Sequence, residues 1–294
     1  MRASEISFYE WQKKFSTDSK CMNHLVQLRW PDGFQCPHCG HDHGYLITTR
    51  AQYECSQCHK QTSPTAGTLF HATKLPLTKW FWAIYWMGSD KGGISALRLS
   101  KLIGVNWRSA YLMLKKLRCS MGHRDSIYRL SDIIELDDAF VGGKKPGKRG
   151  RGAEGKLSVL IACENRGDRP GFLAMEVTES VSKKAIEAFA KRRIKAKQTV
   201  RTDGYPANYG LEHHVTHIAK VTPPEQAIQW LPWVHIAIAN LKRFILGTFH
   251  GTSKVYLQDY LNEFCYRFNR RFWEPQIPNR LIRLCIEHRP LCGT

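Results

Sequence analysis

The chain has 294 residues with 43% apolar content, enough for a buried core and two or three domains, which argues against wholesale disorder. Forty-four Lys and Arg against 25 Asp and Glu leave a formal charge of +19, which points to a polyanionic partner: nucleic acid first, an anionic membrane surface second. No run of about 18 apolar residues is present to span a bilayer, and the amphipathic, acid-bearing N-terminus does not read as a signal peptide.

In chain order, residues 1–33 read as a helical lead-in. Phe8, Trp11, Phe15, Leu25, Leu28 and Trp30 recur at roughly helical spacing until Pro31-Asp32-Gly33 breaks the pattern. Ten cysteines without a secretory leader predict a reducing compartment and metal binding rather than disulfides. Four of them form two Cys-x2-Cys knuckles, Cys36/Cys39 and Cys55/Cys58, with fifteen residues between. Each knuckle turns tightly enough to put two thiolates on one side of a tetrahedral ion. Residues 34–74 are therefore predicted to be a zinc ribbon holding one structural Zn²⁺. His38, His41, His43 and His59 lie nearby, but a four-cysteine set needs none of them.

Residues 75–122 read as helices. Trp80, Phe81, Ile84, Tyr85 and Met87 share one helix. A second ends at Gly104, and Asn106 is placed to cap a third that runs through Arg118. Helix, glycine turn and capped helix is the helix-turn-helix pattern, or else an ordinary helical hairpin. Arg108, Lys115 and Lys116 on the last helix favour DNA binding.

Residues 128–272 begin with three predicted strands, 131–141, 157–164 and 171–177. The first contains Glu135-Leu-Asp137-Asp138. A carboxylate inside an apolar strand is costly unless it is paired, and a metal ion is one such partner; an exposed acidic turn is the alternative. The loop after this strand carries Lys144, Lys145, Lys148 and Arg149 among glycines, and reads either as a solvated hairpin tip or as a contact for the phosphate backbone. A basic helix at 181–196 follows, then a short strand ending at Asp203, another near 214–221, a loop at Pro223-Pro224, and helices at 234–246 and 253–269. Residues 273–294 read as a tail. Three strands, a helix, a strand and a helix, with Asp in the first and at the end of the fourth strand, is the plan of a ribonuclease-H-like α/β domain with a mixed sheet. In that plan the first and fourth strands are neighbours, so Asp137 and Asp203 converge. Two such carboxylates can hold a pair of divalent ions, Mg²⁺ or Mn²⁺.

Several runs carry a resemblance: C-P-H-C-G with Y-E-C-S-Q-C, T-S-P-T-A-G-T-L-F-H-A-T-K-L-P-L, E-L-D-D-A-F-V-G-G-K, R-G-R-G-A-E-G-K, T-D-G-Y, H-I-A-I-A-N-L-K-R, L-G-T-F-H-G and L-N-E-F-C-Y-R-F-N-R-R. In order, and over most of residues 20–272, the chain resembles the ISXO-like bacterial insertion-sequence transposases. These have an N-terminal zinc ribbon and a DDE-type catalytic domain. The resemblance implies DNA strand cleavage and strand transfer at element ends, in the bacterial cytoplasm at the nucleoid. It carries the first two catalytic, Mg²⁺-binding acids onto Asp137 and Asp203. The third position falls on Asn240, where many relatives have Glu, as in members with an Asp-Asp-Asn set. Glu225 and Glu263 are the other acids available for that role, and Asp138 is expected to lie behind the ligands. Lys242 and Arg243 join the candidate DNA contacts. Joining two element ends implies at least a homodimer on DNA. The competing function is a non-catalytic DNA-binding protein, either a decayed transposase or a regulator; an intact Asp137/Asp203 pair favours the enzyme.

Overall fold

The computed structural model describes residues 6–141 and 157–288, and the chain divides into two units. The first comprises Met1–Ser120 and Trp273–Thr294. The predicted lead-in is two helices, α1 (Phe8–Lys14) and α2 (Asp18–Arg29). The break follows from side-chain competition for the backbone: Thr17 accepts a hydrogen bond from Lys20 N and starts a new helix, while Ser7 and Glu10 form a capping box on α1. The ribbon is an antiparallel sheet of β1 (Gly44–Ile47), β2 (Gln52–Cys55) and β3 (Gln61–Thr62).

Helix α3 (Leu77–Ser89) begins after Pro76, which has no side chain to cap it. Asp18 does so from α2, accepting from Leu77 N at 3.1 Å and Thr78 N at 3.0 Å. The predicted helix, glycine turn and capped helix are α4 (Ala96–Ile103), Gly104 and α5 (Trp107–Ser126). Gly104 turns between them at φ 65° and ψ 52°, a left-handed conformation that favours glycine, and Asn106 Oδ1 accepts from Ser109 N at 2.7 Å.

The second unit, Met121–Phe272, carries a five-stranded sheet. Strands β4 (Ile133–Val141), β5 (Leu157–Asn165) and β6 (Pro170–Thr178) form an antiparallel meander. Helix α6 (Lys183–Arg193) leads to β7 (Thr199–Thr202), which pairs parallel with β4; β8 (Thr216–Ala219) pairs parallel with β7. The order β6-β5-β4-β7-β8 is that of a ribonuclease-H-like fold. Alternation along the strands splits the core. Ile134, Leu136, Leu160 and Ala162 pack with Ile186, Phe189 and Ala190 of α6 on one face. Ala139, Val141, Val159 and Ile161 pack on the other with α8 (Pro232–Phe249) and α9 (Lys254–Asn269). The sequence reading of a loop at Pro223-Pro224 is corrected: helix α7 (Pro224–Trp230) begins there, with Pro224 in the first turn, where its missing N–H leaves no bond unmade.

The run that closes α9 is turned inward. Asn269 brackets Leu173, accepting from its N–H at 2.7 Å and donating to its carbonyl at 3.1 Å, and Arg270 pairs with Asp125 at 2.8 Å. Among the described residues no helix is long and apolar enough to cross a membrane.

Residues 273–294 are more than a tail. Helix α10 (Ile277–Glu287) belongs to the first unit and buries Ile277, Leu281, Ile282, Leu284 and Cys285. It is tied in by Leu69 N donating to Cys285 O at 2.9 Å. Gly88 of α3 lies so close to it that an added Cβ would meet Pro278 Cγ at 2.8 Å and Pro278 N at 2.9 Å. Gly-to-Ala inside a helix ordinarily stabilises by roughly 0.5–1 kcal/mol. Gly88→Ala should instead lower the thermal midpoint, and a midpoint at or above wild type would show that Pro278 yields.

Candidate active site

Two residues on the same face of β4 organise the site. Glu135 is fully buried. Its Oε2 accepts from Trp233 N and Val234 N, both at 2.8 Å, and its Oε1 accepts from Asn165 Nδ2 at 2.7 Å. These N–H groups lie in the first turn of α8, whose own cap, Leu231, has no side-chain acceptor. A strand carboxylate thus caps a helix that begins nearly a hundred residues later. Burial pushes the Glu135 carboxyl above the usual range, against the pull of the bonds from Val234, Asn165 and Trp233 and of the Arg201 charge.

The next residue on α8 is His235, and the next on the same face of β4 is Asp137. His235 Nδ1 lies 3.8 Å from Asp137 Oδ2, with the side chains 31% and 16% exposed. Asp137 Oδ1 accepts from Asp138 N at 2.8 Å, leaving Oδ2 towards the imidazole. Asp203 follows β7 directly. Its Oδ1 accepts from Tyr205 N at 3.1 Å and Asn208 Nδ2 at 2.8 Å, an Asx turn that fixes the carboxylate. Burial lowers the His235 pKa, and the Asp203 carboxylate opposes that shift. Asp137 thus faces the imidazole, and the parallel pairing of β4 with β7 brings the end of β7, where Asp203 sits, to the neighbouring strand.

The other sequence candidates fall as follows. Asn240 is exposed on α8, five residues and so roughly 140° of helical rotation beyond His235. Asp138 sits on the α6 face of β4 by strand alternation and is half-buried; it meets Asp137 through its backbone N–H. Glu263 is buried and paired with Arg267 at 3.1 Å. The Glu225 side chain and Lys144, Lys145, Lys148 and Arg149 lie outside the described residues. Lys242, Arg243 and Arg108 are exposed, Lys115 and Lys116 half-buried, with Lys116 Nζ 5.9 Å from the Trp80 ring. Sequence reasoning gave no role to Glu135 or His235. The signal was present in E-L-D, which puts Glu135 and Asp137 on one face, and in the His that opens H-I-A-I-A-N-L-K-R.

In the ribbon, Cys36 Sγ and Cys58 Sγ are 3.6 Å apart, as are Cys39 Sγ and Cys55 Sγ. All four sulfurs lie within 4.8 Å of one another. Zn–S bonds of about 2.3 Å give a tetrahedron with edges of about 3.8 Å, so the donor set fits zinc. Among the described residues no other set of three or more His, Cys, Asp or Glu ligand atoms closes this tightly; the two acids and His235 stand further apart.

Residues 129–269 match the ISXO2-like transposase domain, and residues 16–61 the transposase zinc-ribbon domain. The chain belongs to the ISXO2-like transposases. The resemblance read from the motifs is met, with ribbon and transposase domain in the expected order. This transposase is 27% identical over 281 residues to a protein described as an uncharacterized protein in transposable element ISH50, from Halobacterium salinarum, covering 87% of this chain and 92% of that one. Two solved structures share a weaker likeness, each at 11% identity. One is the Mos1 transposase paired-end complex with left transposon end (TM-score 0.33; 65% of this chain, 73% of that chain). The other is a pre-cleavage Mos1 transpososome (TM-score 0.32; 69% and 77%).

Two outcomes follow for the transposase. Purified protein should carry one zinc per chain, and Cys55→Ser should abolish it while leaving the circular dichroism of the larger unit intact; metal analysis of both proteins decides this. Glu135→Ala leaves two helix N–H groups and an amide without their acceptor, at a cost of about 1–3 kcal/mol. Thermal melts should show a fall of roughly 2–4 °C per kcal/mol for a unit of this size. Glu135→Gln, which keeps an acceptor oxygen, should fall less. An alanine variant as stable as wild type would remove the cap from the account.

Proposed function

We propose that this transposase cuts and rejoins DNA at the ends of its insertion sequence by divalent-metal-dependent phosphoryl transfer, with Asp137, Asp203 and Asn240 as the metal-binding catalytic residues. The observation that carries the reading is the parallel pairing of β4 with β7, which carries Asp137 on one strand and brings the other to its end at Asp203, with His235 Nδ1 3.8 Å from Asp137 Oδ2. Carboxylate oxygens suit Mg²⁺ or Mn²⁺. Such an ion, when bound, would acidify the attacking water and neutralise charge gathering on the phosphodiester.

The chain's part is placement. Asp203 is held by its Asx turn and Asn208, and Asp137 by the strand. Asn240, about 140° around α8 from His235, is the third position by family resemblance; its neutral oxygen would bind a cation more weakly than Glu and cannot serve as a base. Water attacks phosphorus and the 3′-oxygen leaves as a hydroxyl; that hydroxyl then attacks a target phosphodiester, whose own 3′-oxygen departs. No bond between protein and DNA is formed. Arg108, Lys115 and Lys116 on α5, Lys242 and Arg243 on α8, and the loop lysines and arginine at 144, 145, 148 and 149 supply phosphate contacts. Pairing two element ends calls for at least two copies of the chain on DNA in the bacterial nucleoid.

The test is Mg²⁺-dependent nicking of DNA carrying the element's terminal repeats. Asp137→Ala and Asp203→Ala should lose activity by several orders of magnitude, Asn240→Ala should lose less, and Asn240→Glu should retain metal dependence. Asn240→Ala cutting at the wild-type rate with Glu263→Ala dead would move the third position to Glu263. Undiminished nicking by Asp137→Ala would end the reading.

A further inference from the structure

We propose that His235 is itself a ligand of the divalent-cation site, binding through Nδ1 beside Asp137. This inference rests on the metal-dependent reading above and adds a residue to it.

The geometry has three parts. First, the 3.8 Å between His235 Nδ1 and Asp137 Oδ2 is too long for a hydrogen bond. It lies between the spacings that bonds of about 2.1–2.2 Å set for adjacent and opposite ligand atoms of an octahedral ion, about 3 and 4.3 Å, so a shift of well under about 1 Å lets the two atoms share one ion. Second, the ring is otherwise uncommitted: among the described residues neither nitrogen of His235 makes a hydrogen bond. A half-buried imidazole turned to a carboxylate and left unbonded gains most from a cation between them. Third, the placement is enforced. The two backbone groups just before His235, Trp233 N and Val234 N, are both fixed to Glu135, and Glu135 stands two residues before Asp137 on one strand face. Strand and helix are thus indexed to each other at this point, and His235 cannot drift from Asp137 without breaking that cap. The ligand atoms of Asp137, Asp203 and His235 do not all close within 4.8 Å, so His235 is assigned to the ion at Asp137 and not to one shared by all three.

Nitrogen in the ligand set also tilts cation choice. Imidazole suits Mn²⁺ better than Mg²⁺, which prefers oxygen throughout. Losing His235 should therefore cost Mn²⁺ more than Mg²⁺.

The experiment uses full-length, zinc-loaded transposase with Mn²⁺ as the probe, read by pulsed electron paramagnetic resonance. Wild type should show ¹⁴N coupling to bound Mn²⁺, and that coupling should change to ¹⁵N when the protein is made with ¹⁵N-histidine. In His235→Gln the coupling should vanish while Mn²⁺ still binds, about tenfold more weakly, with Mg²⁺ affinity changing less. The wild-type spectrum needs no variant to fold. Mn²⁺ that binds in an Asp137-dependent way without ¹⁴N coupling, or with coupling that survives His235→Gln, overturns the assignment of His235 alone. Mn²⁺ binding indifferent to both Asp137→Ala and Asp203→Ala overturns the metal reading of the site, and His235 with it.

Discussion

The catalytic unit depends on one buried carboxylate. Glu135 lies in the central strand of the sheet with no exposed surface, a position that would cost several kcal/mol for an unpaired charge. Its partners are the first amides of α8, where the helix dipole adds favourable positive potential. The requirement is mutual: α8 starts at Pro232, after Leu231, with no side-chain cap of its own. A charge that cannot be solvated and a helix end that cannot be satisfied locally solve each other's problem. In doing so they fix the rotation and height of α8 against β4. The facing of Asp137 and His235 is downstream of that alignment.

Much of this was legible in the sequence because it rests on local periodicity. The stretches 131–141 and 157–164 read as strands, the cysteine spacing as a ribbon, and Gly104 with Asn106 as a helix-to-helix turn; the strands are found at Ile133–Val141 and Leu157–Asn165, and the ribbon and the turn where expected. What was hidden is what distance along the chain hides. The bond from Trp233 to Glu135 spans 98 positions, and no window of sequence contains both ends. The split between α1 and α2 turns on whether Thr17 caps or continues a helix, and Thr17 caps, accepting from Lys20 N, while Trp11 and Phe15 pack against residues of α3. A proline misled at Pro223-Pro224: Pro224 sits in the first turn of a helix, where a proline starts structure instead of breaking it.

The charge of +19 also needs division. Part of it is structural. Arg118 is buried, Arg267 and Arg270 are paired with Glu263 and Asp125, and Arg29 donates to the carbonyls of Ser63, Pro64 and Ala66. Arg271 does the same for Gly171, Phe268 and Pro170. The guanidinium is suited to this because its fork of donors satisfies several acceptors at once. A polyanion meets only the remaining, outward cations, so composition alone overstates the binding surface.

The place of α10 bears on how the protein is made. The first unit is begun by the opening residues of the chain, yet α3 and Leu69 receive part of their cover from Ile277–Glu287. On the ribosome, the unit that is started first is therefore completed last, after the whole catalytic unit has emerged. Until then α3 holds apolar surface that its own neighbours do not close over. A chain that stops between α9 and α10 holds all the strands of the sheet but lacks the cover that α10 gives to α3 and Leu69.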